Sequence, residues 1–473
     1  MMNTPPFHRG DIVELEVRSF AFEGKSVARV NDFVVFVTKA VPGDRVRARI
    51  VTAKRTFAEA VAIEVLEASE HRITPRCPHF GVCGGCKWQH VSYEEQLALK
   101  RQNVVDSFER IGGFRGVEVR PALGSIDPYF YRNKMEFSFS DRAWLTEADL
   151  GREVQSPSFV LGLHPAERFD KVLDINECFL QSPVSNHILS VTRRFFQERN
   201  VSVYSNKEHE GHLRYLVIRE GKKTGDRMVN LVTLDDRPKL LGEYAEALLA
   251  GVPQITTIVN SINTRRAQIA VGERERVPYG PGTITEELGG LKFRISANSF
   301  FQTNTLQTEV LYETAVRLAE LNGNDVVYDL YSGTGTIGIF VAPRVSRVIG
   351  IELVASAVAD ARENARFNGV TNCDFLEGDL LDLLARSTGW MKTSPKPTVL
   401  IIDPPRSGMH PDAVTTAAQM GVDRLVYVGC NPATQARDVK ILAELGYQIE
   451  VLQPVDMFPH TYHVENVAFL RHK

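Results

Sequence analysis

Short apolar runs separated by helical stretches dominate the last third of the chain. Four runs predict buried strands, at 326–330, 347–352, 399–402 and 425–428, and another at 467–470 predicts a closing strand. A helix is predicted over 306–321, before the first of these strands. Strands that alternate with helices are typical of a parallel sheet, so residues 296–473 are predicted to form a Rossmann-like α/β domain.

The first 68 residues carry a different pattern, with short strands separated by turns. Residues 12–17 and 44–50 partly alternate between apolar and polar side chains, 33–37 is continuously apolar, and Pro42-Gly43 marks a turn. Residues 1–68 are therefore predicted to form a small β-barrel. Five cations follow one another here, with Phe57 nearby: Arg45, Arg47, Arg49, Lys54 and Arg55. They either track a phosphate backbone or form a solvated strand face.

The central region, residues 69–295, reads as mixed and rich in strands. One helix is predicted over 92–112, because Ser92 and Glu95 form a capping box and two glycines follow its last turn. We expect this helix to pack against the C-terminal domain. A strand predicted over 131–139 begins with Tyr131, Arg132 and Lys134, which either meet a base and its phosphate or form an ordinary strand edge.

Composition narrows the class of protein only a little. A chain of 473 residues makes two or three domains, and 43% apolar with 24% charged residues is ordinary for globular proteins. No apolar run approaches the ~20 residues of a membrane span. The N-terminus lacks a signal-peptide pattern, so we expect a soluble cytoplasmic protein without membrane contact. The net charge of −3 gives no general attraction to nucleic acid, so any such contact needs local basic patches.

Four cysteines form a candidate metal site. Cys77, Cys83 and Cys86 lie within ten residues, and Cys178 is a distant fourth thiol. Gly84 and Gly85 let the backbone turn tightly around a metal centre. Cytoplasmic chains seldom keep disulfides, so these thiols predict either tetrahedral zinc or an iron–sulfur cube. His79 and His90 are further zinc ligands by type.

A glycine-rich segment in the C-terminal domain predicts a nucleotide-type cofactor. The first strand leads into Tyr331-Ser332-Gly333-Thr334-Gly335, and the next ends on Glu352, which suits a ribose. NAD and S-adenosylmethionine both fit this layout. Three features favour S-adenosylmethionine: bulky Tyr331 in the loop, a second acid at Asp379, and Asp403-Pro404-Pro405 after a buried strand. Arg406 follows the prolines where amino-methylating enzymes carry an aromatic residue, which indicates a different chemistry.

Cys430 is the candidate nucleophile. It follows the strand at 425–428, and in open parallel sheets the ligand crevice lies outside such strand ends. The alternative is a small hydrophobic residue at a strand end. Glu465, just before the closing strand, can act as a base if burial raises its pKa, and His460 or His463 are alternative bases.

Three sequence strings resemble known families, two of them a small domain family and one an enzyme family. Gly24 to Arg29 and Val41 to Asp44 fit the pattern of the TRAM domain, a small RNA-binding barrel. The cysteine string from Cys77 to His90 resembles the 4Fe-4S site of the RNA uridine-5-methyltransferases. With Cys430 and Glu465 added, nearly the whole chain is similar to that family. The implied fold is a class I methyltransferase domain, preceded by a TRAM or OB-like barrel and a mixed α+β iron–sulfur domain.

The resemblance also implies roles for individual residues. Cys430 would attack C6 of a uracil and Glu465 would take the C5 proton. S-adenosylmethionine would be bound by six residues: Gln302, Tyr331, Thr336, Glu352, Asp379 and Asp403. A 4Fe-4S cluster would be held by Cys77, Cys83, Cys86 and Cys178. Gly429 stands where Ser is frequent and Ser332 where Cys is common, and neither change removes a reacting group.

The expected partner is RNA rather than DNA, bound by a monomer. We expect ribosomal RNA, because transfer-RNA members of the family often lack the barrel and the cluster. A tRNA uridine-5-methyltransferase is the nearest alternative. A cytosine-5-methyltransferase, an NAD-dependent oxidoreductase and a ribosome-assembly factor that needs no catalysis are the others.

Overall fold

The computed structural model describes residues 6–21, 24–146, 159–385 and 394–473. Within these ranges the chain forms a closed barrel, two seven-stranded sheets and a separate hairpin. No helix in the described ranges has the length and apolar character to span a bilayer. This arrangement confirms the predicted fold class, an α/β methyltransferase-like sheet that follows a small barrel.

The N-terminal barrel has five strands: β1 (Ile12–Phe20), β2 (Ser26–Val30), β3 (Phe33–Thr38), β4 (Arg45–Ala53) and β5 (Phe57–Glu67). They close in the order β1-β2-β3-β5-β4 around small and β-branched side chains. Two of the five cations in the predicted basic stripe are paired: Arg45 with Glu67 at 2.9 Å, and Arg47 with Glu64. The barrel therefore presents fewer free cations than the sequence indicates.

A seven-stranded sheet fills the central region in the order β12-β11-β10-β9-β6-β7-β8. Its strands are β6 (Lys134–Ser140), β7 (Val160–Leu163), β8 (Leu173–Asp174), β9 (Leu213–Glu220), β10 (Arg227–Thr233), β11 (Thr257–Ile262) and β12 (Arg274–Tyr279). Two helices, Pro183–Glu198 and Pro238–Gly251, pack on each other and share one core with the sheet. The hairpin β13 (Thr283–Leu288) and β14 (Leu291–Ser296) follows.

The C-terminal sheet has the order β17-β16-β15-β18-β19-β21-β20. Its strands are β15 (Val326–Leu330), β16 (Arg347–Glu352), β17 (Cys373–Glu377), β18 (Val399–Ile402), β19 (Arg424–Gly429), β20 (Tyr447–Val455) and β21 (Glu465–His472). The first five are parallel and β21 runs antiparallel between β19 and β20. Strand order reverses between β15 and β18, and a ligand crevice is expected outside the carboxyl ends at such a point.

Helices cover this sheet and connect the domains. The first helix of the chain, α1, spans Tyr93–Ser107 and continues as one π-turn over Phe108–Gly112. Pro183–Glu198 and Pro238–Gly251 are α2 and α3. The remaining helices are α4 (Thr305–Leu318), α5 (Thr336–Val341), α6 (Ala355–Phe367), α7 (Leu380–Ala385), α8 (Pro411–Gln419) and α9 (Pro432–Glu444), with a 3₁₀ turn at Ala342–Arg344. Helix α1 and its π-turn pack against α9 and β20.

Two details of the predicted elements were wrong. Glu465 is the first residue of β21, paired with Val455, rather than a residue before the strand. The strand predicted over 131–139 begins later, because β6 starts at Lys134 and ends at Ser140. Its sequence alternates between polar and apolar residues, but its last four residues, two serines included, are all buried.

A buried ion pair fixes α1 to the segment before β21, which we call the 456–463 loop. Lys100 and Asp456 are fully buried and in contact, and Lys100 Nζ also donates to the carbonyl oxygen of Phe458 at 3.0 Å. Tyr93 donates its hydroxyl to the other oxygen of Asp456 at 2.9 Å. Such a pair tolerates the loss of both charges far better than the loss of one.

Replacing Lys100 alone should therefore be strongly destabilising. We expect Lys100→Met to lower the free energy of unfolding by about 3–5 kcal/mol, because it leaves a buried carboxylate without its cation. Adding Asp456→Asn should recover a large part of that loss. Urea unfolding followed by circular dichroism measures both, with Lys440→Met on the exposed face of α9 as a control expected within about 0.5 kcal/mol of the wild type. Equal stability of Lys100→Met and the control would contradict this account.

Candidate active site

A large cavity lies at the carboxyl ends of the parallel strands of the C-terminal sheet. Its volume is about 1150 Å³. It is lined by all eight residues that the sequence singled out for methyl transfer: Gln302, Tyr331, Thr336, Glu352, Asp379, Asp403, Cys430 and Glu465. Residues separated by more than 160 positions therefore meet at one point, at the place where strand order reverses.

The glycine-rich loop after β15 forms one wall of this cavity. Tyr331 has a φ of 65°, a conformation that is strained for a non-glycine residue, and Gly335 has a φ of 76°. A side chain at Gly335 would come within 2.7 Å of the ring of Phe375. Glycine is thus required there both for backbone conformation and for close packing. The loop turns directly into α5, whose first residue is Thr336.

Carboxylates after β16 and β17 line the same wall. Glu352 accepts hydrogen bonds from the backbone N–H groups of Gly333 at 2.9 Å and Val354 at 2.8 Å, and each oxygen keeps a second lone pair. Asp379 accepts from the backbone N–H of Leu381 at 2.8 Å and so caps α7. These acids are held in fixed positions and suit the hydroxyl and amino groups of an adenosine.

Gln302 is positioned from the central region. The backbone N–H of Asn133 donates to the carbonyl oxygen of Thr303, and the Asn133 amide donates to that of Gln302, both at 2.8 Å. Buried Arg219 donates to the carbonyl oxygens of Ala297 at 3.1 Å and Ser299 at 2.6 Å. Strands β6 and β9 therefore fix the segment that carries Gln302 to the cavity.

Cys430 lies on the opposite side, between β19 and α9. Burial, then the neighbouring Glu465 and Asp403, raise the pKa of its thiol to about 12, and Arg406 partly opposes this. Burial and Asp403 raise the pKa of Glu465 to about 8, and burial raises that of Asp403 to about 7. Neither carboxyl accepts a hydrogen bond from another residue in the described ranges, so both face the cavity unpaired.

The two histidines that the sequence left open as bases occupy different places. His463 lines the cavity, whereas His460 does not. Burial lowers the pKa of each to about 4. The His460 ring lies 4.3 Å from that of Tyr129 and its Nδ1 is 3.3 Å from the amide of Gln96, which makes it a packed structural residue.

Helix α1 and residues 77–88, which we call the cysteine segment, together hold the 456–463 loop. The backbone N–H groups of Lys87 and Trp88 both donate to the carbonyl oxygen of His460, at 2.8 and 3.0 Å. Gln96 accepts from the His460 backbone N–H at 2.9 Å. His460 itself has a φ of 65°. Because β21 begins two residues after this loop, these bonds also set the position of Glu465.

The four candidate cysteines line a second cavity of about 550 Å³. Burial is the largest cause that raises the pKa of the Cys86 thiol, and Cys83, Cys178 and Cys77 are close enough to raise it further. His79 lines this cavity too, but His90 instead places a ring nitrogen 3.2 Å from the carbonyl oxygen of Ala40. Within the described ranges, no group of three or more His, Cys, Asp or Glu side chains is arranged to hold a metal ion.

Several residues of the site were not found from the sequence. Lys87 lines both cavities, and Asp360 lines the larger one while accepting from Ser299 Oγ at 2.7 Å. Both are ordinary charged residues without a motif, so the sequence held no signal for them. The remaining cysteine, Cys373, lies on β17 outside both cavities.

Comparison with known proteins agrees with this geometry. Residues 286–473 match the family model described as tRNA (Uracil-5-)-methyltransferase, and residues 6–63 match the TRAM domain. A protein of Chlorobaculum tepidum named as an uncharacterised RNA methyltransferase is 44% identical over 98% of this chain and 96% of its own length. A Bacteroides thetaiotaomicron protein of the same designation is 42% identical over 95% of this chain and 99% of its own.

A solved structure covers the chain almost completely. It is the Pyrococcus abyssi tRNA (uracil-54, C5)-methyltransferase in complex with S-adenosyl-L-homocysteine, 31% identical, with a TM-score of 0.74 over 97% of this chain and 99% of that one. Fold and cavity define the protein as a class I methyltransferase. The chain belongs to the tRNA (uracil-5-)-methyltransferase family of RNA-modifying enzymes and uses S-adenosylmethionine, which excludes the NAD-dependent alternative.

Proposed function

We propose that this enzyme methylates C5 of a specific uridine in RNA through a covalent bond between Cys430 and C6 of the base. The observation that carries the proposal is the shared cavity: Cys430 and Glu465 line the same space as the residues assigned to the methyl donor. A uridine inside structured RNA would have to flip out to reach them. Gln302, Tyr331, Thr336, Glu352, Asp379 and Asp403 are proposed to contact S-adenosylmethionine.

Uracil C5 is too weakly nucleophilic to take a methyl group directly, which is why a thiol is needed. The Cys430 thiol first gives up its proton, for which Asp403 lies within electrostatic reach as the acceptor. When the sulfur then bonds to C6, the electrons of the C5–C6 double bond move onto C5 and its carbonyl as an enolate. That carbon displaces the methyl group from the sulfonium and releases S-adenosylhomocysteine. Glu465 then removes the remaining C5 proton, the double bond re-forms, and the C6–sulfur bond breaks to return the thiolate.

The electrostatics of the cavity affect both the thiol and the base. Cys430 rests as a neutral thiol because burial and two neighbouring carboxyls disfavour a further negative charge, so it must lose its proton before it attacks. Because the pKa of Glu465 is about 8, its carboxylate is a stronger base than one with an unshifted pKa and removes a carbon-bound proton more readily. Asp403 lies within electrostatic reach of both groups and is placed to hold the pyrimidine edge or the methyl donor.

The pH dependence of the elimination step should identify the base. If Glu465 acts with a pKa of about 8, the rate at which the methylated adduct releases its RNA rises roughly tenfold per pH unit below that value and levels above it. His463, with a pKa of about 4, would be neutral throughout the range and would give a flat profile. Decay of the adduct between about pH 6 and 9, followed on denaturing gels of quenched samples, measures this rate, and a flat profile would contradict the assignment of Glu465.

The proposed target is ribosomal RNA, with transfer RNA as the alternative. The first rests on the family resemblance. The second is favoured by the Pyrococcus abyssi neighbour, which is named for tRNA. This chain covers 99% of that neighbour, so a chain of this length does not by itself distinguish a ribosomal RNA target from a transfer RNA target. Incubating purified ribosomal and transfer RNA from a strain lacking the enzyme with labelled S-adenosylmethionine, then mapping the label, distinguishes them.

The four cysteines are proposed to hold a 4Fe-4S cluster. In such a cube each thiolate binds a different iron, so the sulfurs stand farther apart than the roughly 3.8 Å edge of a tetrahedral zinc site. The support for this proposal is that all four thiols line one cavity, although the described side chains are not arranged around a metal ion. The cluster would cross-link the 77–86 segment to Cys178. Iron and sulfide analysis tests this: about four irons per chain are expected for the wild type, and zinc alone would overturn it.

The same proposal includes the organisation of the chain. We divide it into a barrel at 1–68, a central RNA-binding domain at 69–295 and the methyltransferase domain at 296–473, acting as a monomer. Because the cysteine segment and β6 both contact residues of the third domain, the cavity is built jointly by the last two.

A further inference from the structure

Two cations stand where the cysteine cavity and the active-site cavity meet. Lys87 directly follows Cys86, and Arg132 lies two residues before β6; each lines both cavities. Both side chains are half-buried. Neither forms an ion pair with a carboxylate among the described residues, whereas Lys134, which lines the cysteine cavity, pairs with Glu136. Half-buried charges without partners are costly, so their placement calls for an anionic ligand.

Of the three polar residues at the start of the 131–139 segment, only Arg132 is available to a ligand. Tyr131 is buried and donates its hydroxyl to the carbonyl oxygen of Pro459 at 3.2 Å. Lys134 pairs with Glu136 at 2.5 Å. Arg132 uses Nε to donate to the carbonyl oxygen of Lys134 at 3.0 Å, which orients the guanidinium and leaves its two terminal amino groups free to bind an anion.

Charges of both signs line the cavity. The acids Glu352 and Asp379 follow β16 and β17, at one end of the sheet, and suit the hydroxyls of the methyl donor. On the side of Cys430, Asp403 and Glu465 are accompanied by cations: Arg132 and Arg406 are both close enough to lower the pKa of His463, beside β21.

We propose that Lys87 and Arg132 clamp a phosphodiester group of the RNA next to the uridine that enters the cavity. The inference rests on the proposed function. A nucleotide that flips out brings its own flanking phosphates to the rim of the pocket. Lys87 supplies a point charge and Arg132 a planar fork with two donors, which together match one phosphate. The residue after Cys86 thus belongs to the RNA site, and the cysteine segment forms part of the substrate cleft.

The alternative role for these cations is to balance the charge of a cluster held by the cysteines, and the test separates the two. Wild type, Lys87→Gln, Arg132→Gln and the double variant are titrated with a fluorescein-labelled RNA hairpin that has uridines in its loop. Anisotropy is read from about 50 to about 200 mM salt. Lys239→Gln on α3 is the matched control, because Lys239 lines neither cavity. Iron content is measured on every sample.

The clamp predicts weaker RNA binding with unchanged iron. Because both cations bind the same phosphate, the double substitution should reduce the slope of log affinity against log salt by about 0.7, as expected for one contact to single-stranded phosphate, and each single substitution should reduce it by a part of that amount. Lys239→Gln should keep the wild-type slope. Slopes unchanged in all variants, or iron lost while RNA affinity is retained, would overturn the clamp. Failure of the wild type to methylate any RNA would instead count against the proposed function.

Discussion

Cys430→Ala should abolish methyl transfer while leaving the methyl donor bound. Without the thiol there is no route to a nucleophilic C5, so we expect the rate to fall by at least about 10³-fold, as for other enzymes that lose their nucleophile. Cys430 lies at the end of β19, away from the glycine loop after β15 that forms the proposed donor site. Affinity for S-adenosylmethionine, read by calorimetry, should therefore change less than about twofold.

A second cysteine provides the control for this substitution. Cys373 is half-buried on β17 and its thiol is 3.5 Å from the carbonyl oxygen of Gly338, outside the cavity. Cys373→Ala should retain wild-type turnover. If Cys430→Ala kept more than a few per cent of wild-type methylation on the same RNA, the covalent mechanism would be wrong and a direct transfer to another atom would have to replace it.

Glu465→Gln should stop the reaction after methyl transfer and trap the enzyme on its RNA. Glutamine keeps the size of the side chain but cannot accept the C5 proton, so the C6–sulfur bond has no route to break. We expect a protein–RNA adduct that survives denaturation and carries one added methyl group. Product release should fall by at least about 10²-fold, the usual contribution of a general base.

Two variants test whether the effect belongs to Glu465. His463→Asn removes the other cavity-lining candidate base and should leave elimination intact, because a histidine with a pKa of about 4 is held neutral by burial and by nearby cations. Glu450→Gln, on the exposed side of β20, should behave as wild type. If adduct accumulated in His463→Asn but not in Glu465→Gln, the base would be His463 and not Glu465.

The strands of the C-terminal sheet were predictable because they are buried on both faces. Runs such as 399–402 and 425–428 are continuously apolar, and each ends in polar residues that the parallel topology brings to one edge. For that reason Asp403 and Cys430 could be placed in a common crevice before any coordinates were known. Glu465 belonged to the same prediction through the family resemblance.

The contacts that position those groups could not be predicted. Lys100 and Asp456 are 356 residues apart in sequence, and Gln96 and His460 are 364 apart. Neither pair leaves a pattern in the local sequence. From sequence alone, a buried lysine on a helix cannot be distinguished from a solvated one. The sequence likewise left open whether the basic stripe of the barrel tracks a phosphate backbone or forms a solvated face, because the acids that Arg45 and Arg47 face lie on an adjacent strand.

The central claim is the covalent bond between Cys430 and the base, and one experiment tests it directly. Wild type and Cys430→Ala are incubated with S-adenosylmethionine and RNA in which uridines are replaced by 5-fluorouridine, then separated on a denaturing gel. Fluorine at C5 cannot be removed as a proton, so the methylated adduct persists. We predict a shifted band for the wild type only, with the mass of protein, RNA and one methyl group. The account would be contradicted if the wild type methylates C5 of an unmodified RNA but gives no shifted band with the 5-fluorouridine form of the same RNA.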